Sequence, residues 1–118
     1  LRFPELFRAM VEENMEICAL PSAFTSLTGK VHWESLLRAR AIENLSFIIA
    51  ADQGGYHVGG GETHGGSMIV DPWSLVLNRL PHGTGVVVAD IDIEKLEHTR
   101  KMFPALKHKR FSCDFSTH

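Results

Sequence analysis

With 118 residues, the chain is long enough for one small domain. Its 12 lysines and arginines stand against 14 aspartates and glutamates, so the composition offers no basic surface for nucleic acid or acidic membranes. No run of 18 apolar residues is present, and no transmembrane helix is predicted. The two cysteines make no disulfide framework, and we therefore expect a reducing, cytoplasmic environment.

The first elements along the chain are a helix and a strand. Pro4 suits the first turn of a helix, and apolar residues at helical spacing continue to about Asn14. The apolar run over 16–20 then predicts a short buried strand. Pro21 should end this strand, because proline has no N–H to give to a sheet.

A loop rich in hydroxyl side chains leads into a long helix, which should begin at Thr28 or Gly29 and end near Asn44. Its apolar residues fall on two sides, with Trp33, Leu36 and Leu37 on one and Val31, Ile42 and Leu45 on the other. Glu34 and Arg38 have the spacing of an i,i+4 ion pair. Two-sided burial, with one side against another subunit, and a surface helix with an irregular stripe both fit this pattern.

Two further segments follow the helix. Residues 47–51 are apolar without alternation, which is typical of a strand covered on both faces. The glycine-rich segment 53–66 predicts a loop. Phosphate binding by this loop is disfavoured, because no phosphate-loop motif follows. His57 and His64 have no partners at metal-ligand spacing, so we expect no metal and no cofactor.

The last third of the chain predicts a hairpin, a strand and a helix. Residues 67–71 and 75–78 should pair around an Asp-Pro-Trp-Ser turn. Residues 86–92 predict a strand, and a helix from Ile93 to about Phe103 should stop before Pro104. Residues 107–110 form a basic run, and 112–118 should be a flexible tail.

A long and specific motif spans residues 21–44, and it reads Pro-Ser-Ala-Phe-Thr-x-x-Thr-Gly-x-x-His-Trp-Glu-x-Leu-Leu-Arg-Ala-Arg-Ala-Ile-Glu-Asn. It closely resembles the nitrilase superfamily of carbon–nitrogen hydrolases, and in particular the branch of deaminated glutathione and ω-amide amidases. The opening Leu-Arg-Phe-Pro-Glu-Leu and the later Met-Ile-Val-Asp-Pro-Trp extend the likeness over essentially residues 1–111. The resemblance implies an α+β fold, in which residues 1–118 are the incomplete C-terminal part of one four-layer α-β-β-α sandwich domain.

The resemblance also implies a chemistry. Family members hydrolyse small, non-peptide linear amides through a cysteine thioester, releasing ammonia and a carboxylic acid. Their catalytic glutamates, lysine and cysteine would lie upstream of Leu1, so no catalytic residue is assigned here and the chain alone should be inactive. Cys18 is a poor substitute, because an apolar strand raises the pKa of a thiol. Without the rest of the sandwich, one face of the sheet should be exposed.

Family members commonly dimerise, and a homo-oligomer is expected here through the Lys30–Asn44 helix. The alternative to an enzyme fragment is a non-catalytic self-association module, or an inactive relative of the same fold. No nucleic-acid or membrane partner is expected.

The resemblance places one wall of the substrate pocket in this chain, since the loop after the first strand faces the family's nucleophile. The candidate substrate-side residues are Ser22, Ala23, Phe24, Thr28 and Gln53. The alternative is that Phe24 belongs to the core and Thr28 is only a helix N-cap. Arg2 and Glu5 resemble pocket-ordering charges of the family, although a first-turn glutamate is also favoured by the helix dipole alone.

Two positions depart from the family pattern. His64-Gly65-Gly66 stands before Ser67, where relatives usually carry an aromatic residue, glycine and histidine. This exchange removes an imidazole and is expected to alter substrate preference. Ser74 stands where glycine is usual, and a left-handed conformation there would be costly for serine.

Overall fold

The computed structural model describes residues 1–56, 62–80 and 83–112. The helices are α1 (Pro4–Glu12), α2 (Ser26–Thr28), α3 (Glu34–Asn44) and α4 (Ile93–Met102), with a π-helical segment (Gly29–Trp33) between α2 and α3 and a 3₁₀ turn at Ala105–His108. The strands are β1 (Ile17–Ser22), β2 (Phe47–Asp52), β3 (Gly54–Tyr56), β4 (Glu62–His64), β5 (Ser67–Val70) and β6 (Val76–Leu80).

The larger sheet has the strand order β1-β2-β5-β6. β1 and β2 are parallel, which requires the crossover through α3. β5 runs antiparallel to both β2 and β6, and β3 and β4 form a separate two-stranded ribbon. The chain is therefore α+β, and the predicted 67–78 hairpin is confirmed.

One face of the larger sheet is covered by helices. The core on that face consists of Phe7 from α1, Trp33, Leu37 and Ala41 from the π segment and α3, and Cys18, Ile48, Ala50, Met68 and Val70 from the strands. Full burial of one such large apolar side chain contributes about 1.5–3 kcal/mol. This layer fixes α3, and with it the loop between β1 and α2, relative to the sheet.

The opposite face of the sheet is partly uncovered. Ile17 is 41% exposed and Ile49 is 38% exposed, whereas their neighbours Cys18 and Ile48 are buried. The predicted exposed sheet face is therefore confirmed. The prediction that 47–51 is covered on both faces is wrong for the chain described here, because its helices pack mainly on one side.

β1 corrects a second prediction, since it continues through Pro21 to Ser22. The carbonyl of Glu16 accepts from the N–H of Phe47, and that of Ser22 accepts from Gln53. Even-numbered residues of β1 thus direct their backbone groups to β2. The nitrogen of Pro21 faces the edge of the sheet, where among the described strands no N–H is required.

Two further segments differ from expectation. The glycine-rich segment is not all loop, since 54–56 pairs with 62–64; residues 57–61, including His57, lie outside the described part. The predicted strand over 86–92 is wrong, because no described strand pairs with it and Val86 is 86% exposed. The helices 4–12 and 93–102 are confirmed to within two residues, and the tail beyond Ser112 lies outside the described residues.

Candidate active site

The parallel strands β1 and β2 end side by side, with Ser22 paired to Asp52. The N–H of Gln53 donates to the carbonyl of Ser22 at 2.9 Å, which joins the two strand ends. Polar groups at the carboxyl ends of parallel strands are a common setting for ligand sites. Two of the candidate residues, Ser22 and Gln53, are thus brought together, and the side chain of Gln53 is exposed.

The loop of residues 23–25 folds back over this edge. The N–H of Phe24 donates to Oδ1 of Asp52 at 3.0 Å. The Phe24 ring lies edge-on to Trp33, with centroids 5.1 Å apart, and the guanidinium of Arg2 lies 5.2 Å from its centroid. Phe24 is therefore half-buried against the core and also borders the strand ends, while Ala23 is exposed.

Thr28 does not cap the helix that follows the loop. Its N–H donates to Oγ1 of Thr25 at 3.4 Å, and the two hydroxyls are 2.7 Å apart. Thr25 is thus the N-cap residue of α2, and the capping alternative for Thr28 is wrong. Thr28 lies one turn further along the chain than the rest of the candidate loop, half-buried and bonded to Thr25.

Asp52 is the residue of this edge that sequence reasoning missed. Its side chain is buried, with the residue only 8% exposed, and its own N–H donates to Oγ of Ser67 at 3.0 Å. The signal was its place at the end of an apolar run, immediately before Gln53. A carboxyl group can be buried there because the N–H of Phe24 in the neighbouring loop donates to it.

The glycine pair before Ser67 has a conformational reason. Gly65 has φ 77° and Gly66 has φ 91°, which are backbone conformations that side chains disfavour. The indole Nε1 of Trp33 donates to the carbonyl of Gly66 at 2.7 Å. This bond ties the π segment to the start of β5, and no feature of the sequence indicated it.

Arg2 and Glu5 behave differently. A guanidinium nitrogen of Arg2 donates to Nδ1 of His32 at 3.1 Å, while the same group lies over Phe24. Arg2 therefore contacts both the π segment and the candidate loop. Glu5 is exposed in the first turn of α1, a position that the helix dipole alone favours.

Cys18 belongs to the core and is only 7% exposed. Burial raises the pKa of this thiol, so it stays protonated at neutral pH and is a poor nucleophile. Within the described ranges, no group of three histidine, cysteine or carboxylate side chains is placed to hold a metal ion. No helix in the same ranges has the length and apolar character needed to cross a membrane.

Ser74, the second departure from the family pattern, is bound by a side chain on the outer side of α3. Nε of Arg38 donates to the carbonyl of Ser74 at 3.0 Å and to its hydroxyl at 3.1 Å, and Ser74 has the left-handed φ of 72° that was expected. The predicted Glu34–Arg38 ion pair is wrong, because Glu34 pairs with Arg79. Ile42 on this side is 46% exposed.

The comparisons with known proteins agree with this architecture. The family model described as carbon–nitrogen hydrolase matches residues 1–101. The chain belongs to the carbon–nitrogen hydrolase family.

Its relatives share both sequence and fold with it. Deaminated glutathione amidase of Bos taurus is 47% identical over 110 residues, which cover 93% of this chain and 34% of the relative. The C. elegans NitFhit protein superposes with a TM-score of 0.89 at 41% identity, over 92% of this chain and 26% of that one. The chain thus spans about a third of the length of this curated relative.

A third match is a solved structure with a covalent adduct at its active site. A mutant of the amidase from Nesterenkonia sp. AN1, with covalent addition of the acetamide moiety of fluoroacetamide at its active-site cysteine, gives a TM-score of 0.72 at 26% identity. The match covers 92% of this chain and 37% of that one.

Proposed function

We propose that this chain is the C-terminal part of an amidase that hydrolyses a small, non-peptide linear amide of the deaminated glutathione or ω-amide type. The observation that carries the proposal is the 47% identity to a deaminated glutathione amidase over 93% of the chain. A reducing, cytoplasmic setting is part of the proposal and is supported by Cys18, which is a free thiol in the core.

The proposed reaction passes through a thioester. A cysteine thiolate attacks the amide carbonyl, ammonia leaves, and water then hydrolyses the thioester to the carboxylic acid. A glutamate acts as general base and a lysine stabilises the oxyanion. In this proposal all of these groups lie upstream of residue 1. The adduct at the cysteine of the Nesterenkonia amidase supports a covalent route in this family.

The proposed part of this chain is to bind and orient the substrate. Its proposed groups are Ser22, Ala23, Phe24 and Gln53 at the carboxyl edge of β1 and β2, and Thr28 one helical turn further along the chain. Gln53 offers an exposed amide, and the half-buried Phe24 ring offers an apolar surface. The backbone of both residues is held at the strand ends, because the N–H of each is hydrogen-bonded across the edge.

The test is ammonia release by the full-length protein from a panel of ω-amides that includes deaminated glutathione. We expect turnover of at least one amide, and its loss when the cysteine upstream of Leu1 is replaced by alanine. A Gln53→Ala variant should weaken turnover, whereas Ser112→Ala, an exposed change far along the chain, should not. Ammonia release that survives loss of the cysteine would contradict the proposal.

We also propose that two copies associate through the Lys30–Asn44 helix. Val31 is 67% exposed and Ile42 is 46% exposed, although Trp33 and Leu37 on the opposite side of the helix are buried. Ile42→Glu should shift the full-length protein toward monomer in sedimentation, whereas Val88→Glu, at a residue 70% exposed elsewhere, should not. A stable dimer that releases no ammonia from any amide would favour the non-catalytic module instead.

A further inference from the structure

We propose that Asp52 is a positioning residue, which holds the substrate-side loop of residues 23–25 in register with the sheet. The inference rests on the proposed function, because that function makes the loop one wall of the substrate pocket. Asp52 is the last residue of β2, paired with the last residue of β1, and it lies under the loop that leaves β1.

The carboxyl group of Asp52 binds the backbone of Phe24 and not its side chain. Its Oδ1 accepts the N–H of Phe24 at 3.0 Å, and the residue is only 8% exposed. A hydrogen bond removed from water is stronger than an exposed one, because the local dielectric constant is lower. The N–H of Phe24 is thus fixed relative to the end of β2.

Asp52 also links the loop to a third strand. Its N–H donates to Oγ of Ser67 at 3.0 Å, and Ser67 is the first residue of β5. One residue therefore joins the loop after β1, the end of β2 and the start of β5. These are the three backbone segments that meet at the proposed pocket edge.

The other anchor of the loop has a different character. The Phe24 ring is held on the side of Trp33 and Arg2, through an edge-on aromatic contact and a cation–π contact. Ring contacts of this kind permit sliding, whereas the hydrogen bond to Asp52 fixes one backbone atom. Asp52 thus determines the position of the loop backbone, and the ring contacts determine only the orientation of the Phe24 side chain.

Loss of this anchor should therefore appear in substrate binding. A shift of about 1 Å in a positioning element can lower catalytic efficiency about 100-fold. For Asp52→Ala in the full-length enzyme we expect KM to rise about tenfold while kcat changes less than about threefold, because the loop contacts substrate in ground and transition states alike. Asp52→Asn keeps an acceptor oxygen for the N–H of Phe24 and should stay within about threefold of the parent KM.

The matched control is Ser46→Ala, immediately before the opposite end of the same strand. Ser46 is also buried, and its hydroxyl donates to the carbonyl of Asn44 at 2.9 Å and accepts from Arg100 at 3.0 Å. This variant loses both hydrogen bonds without touching the loop, so it should reduce the amount of folded enzyme and leave KM unchanged. Should Asp52→Ala not fold, Asp52→Leu carries the same test, because its side chain branches at the same carbon, fills the site and lacks an acceptor.

Two outcomes would overturn the inference: an unchanged KM in the variants without an acceptor, or an asparagine variant as impaired as the alanine one. Hydrogen exchange of the Phe24 amide gives a readout that is independent of turnover. It should accelerate in Asp52→Ala and not in Asp52→Asn. If the parent protein hydrolyses no amide, the proposed function fails, and the exchange result still decides whether Asp52 fixes the loop.

Discussion

The two ends of the parallel pair β1–β2 are closed by opposite charges. At the amino end, Arg100 donates to the carbonyls of Met15 and Leu45, at 2.8 and 2.9 Å. At the carboxyl end, Asp52 accepts from the N–H of Phe24 at 3.0 Å. The segments that enter the strands present carbonyls, so a guanidinium, which only donates, suits the amino end. The loop that leaves β1 presents an N–H, so a carboxylate, which accepts, suits the carboxyl end.

The amino end has a second charged closure. The turn beside it is closed by Asp71, whose Oδ1 accepts from the N–H groups of Trp73 and Leu75 and whose Oδ2 lies 3.2 Å from Nζ of Lys95. Exposure does not distinguish the two ends, since Trp73 and Leu75 are exposed at one and Ala23 and Gln53 at the other. The difference lies in the closing groups, and the carboxyl end is the one that carries the proposed substrate-side residues.

The largest expected effect tests the amino end. Arg100→Ala in the full-length protein should lower the free energy of unfolding by about 3 kcal/mol, because it leaves two backbone carbonyls without their charged donor. Burial also lowers the pKa of Arg100, which agrees with its removal from solvent. The measurement is denaturant unfolding, with the exposed neighbour Lys101→Ala as control, which should stay within about 0.5 kcal/mol. An equal loss in both variants would break the comparison.

A smaller effect is expected at the amino-end turn. Ser74→Gly relieves a left-handed φ of 72° and should stabilise the protein by about 0.5 kcal/mol, the strain relieved slightly exceeding the lost contact. Its carbonyl would still accept from Arg38. Ser74→Ala keeps the strain and loses the hydroxyl, so it should destabilise by about 0.5–1 kcal/mol in the same unfolding measurement. Glycine proving worse than alanine at this position would contradict the assignment of strain.

The smallest effect concerns Cys18, between the two ends. Burial raises the pKa of this thiol in the folded state, so its contribution to stability is complete below the unfolded thiol pKa of about 8.5 and is lost as the pH rises toward the folded value. The unfolding free energy of the parent should therefore fall more steeply between about pH 8 and pH 10 than that of Cys18→Ala. Parallel pH profiles would show that the thiol is not protected by the core.

The sequence predicted elements whose signals are local. Pro4 begins a helix, and the Asp-Pro-Trp-Ser turn closes a hairpin, because backbone preference alone favours both. Features that depend on partners distant in sequence were missed. The segment 86–92 has the composition of a strand, yet no described strand pairs with it.

The candidate site shows the same limit. Ser22 and Gln53 became candidates because the family resemblance places the ends of their strands beside the pocket, and the structure joins their backbones by a hydrogen bond. Asp52 was missed because its hydrogen-bond partner, Phe24, lies 28 residues earlier in the sequence. No local spacing could identify a partner at that distance.

The π segment of residues 29–33 has a consequence for how this chain tolerates insertion and deletion. A π turn holds one residue more than the α turn it replaces, and such turns are often found at functional sites. Deleting one residue there would let an unbroken α-helix form, turning the preceding backbone by about 100° relative to α3. Because α3 is fixed by Leu37 and Ala41 in the core, this rotation would displace the 23–25 loop and not α3. The length of this single turn therefore sets the direction from which that loop approaches the sheet.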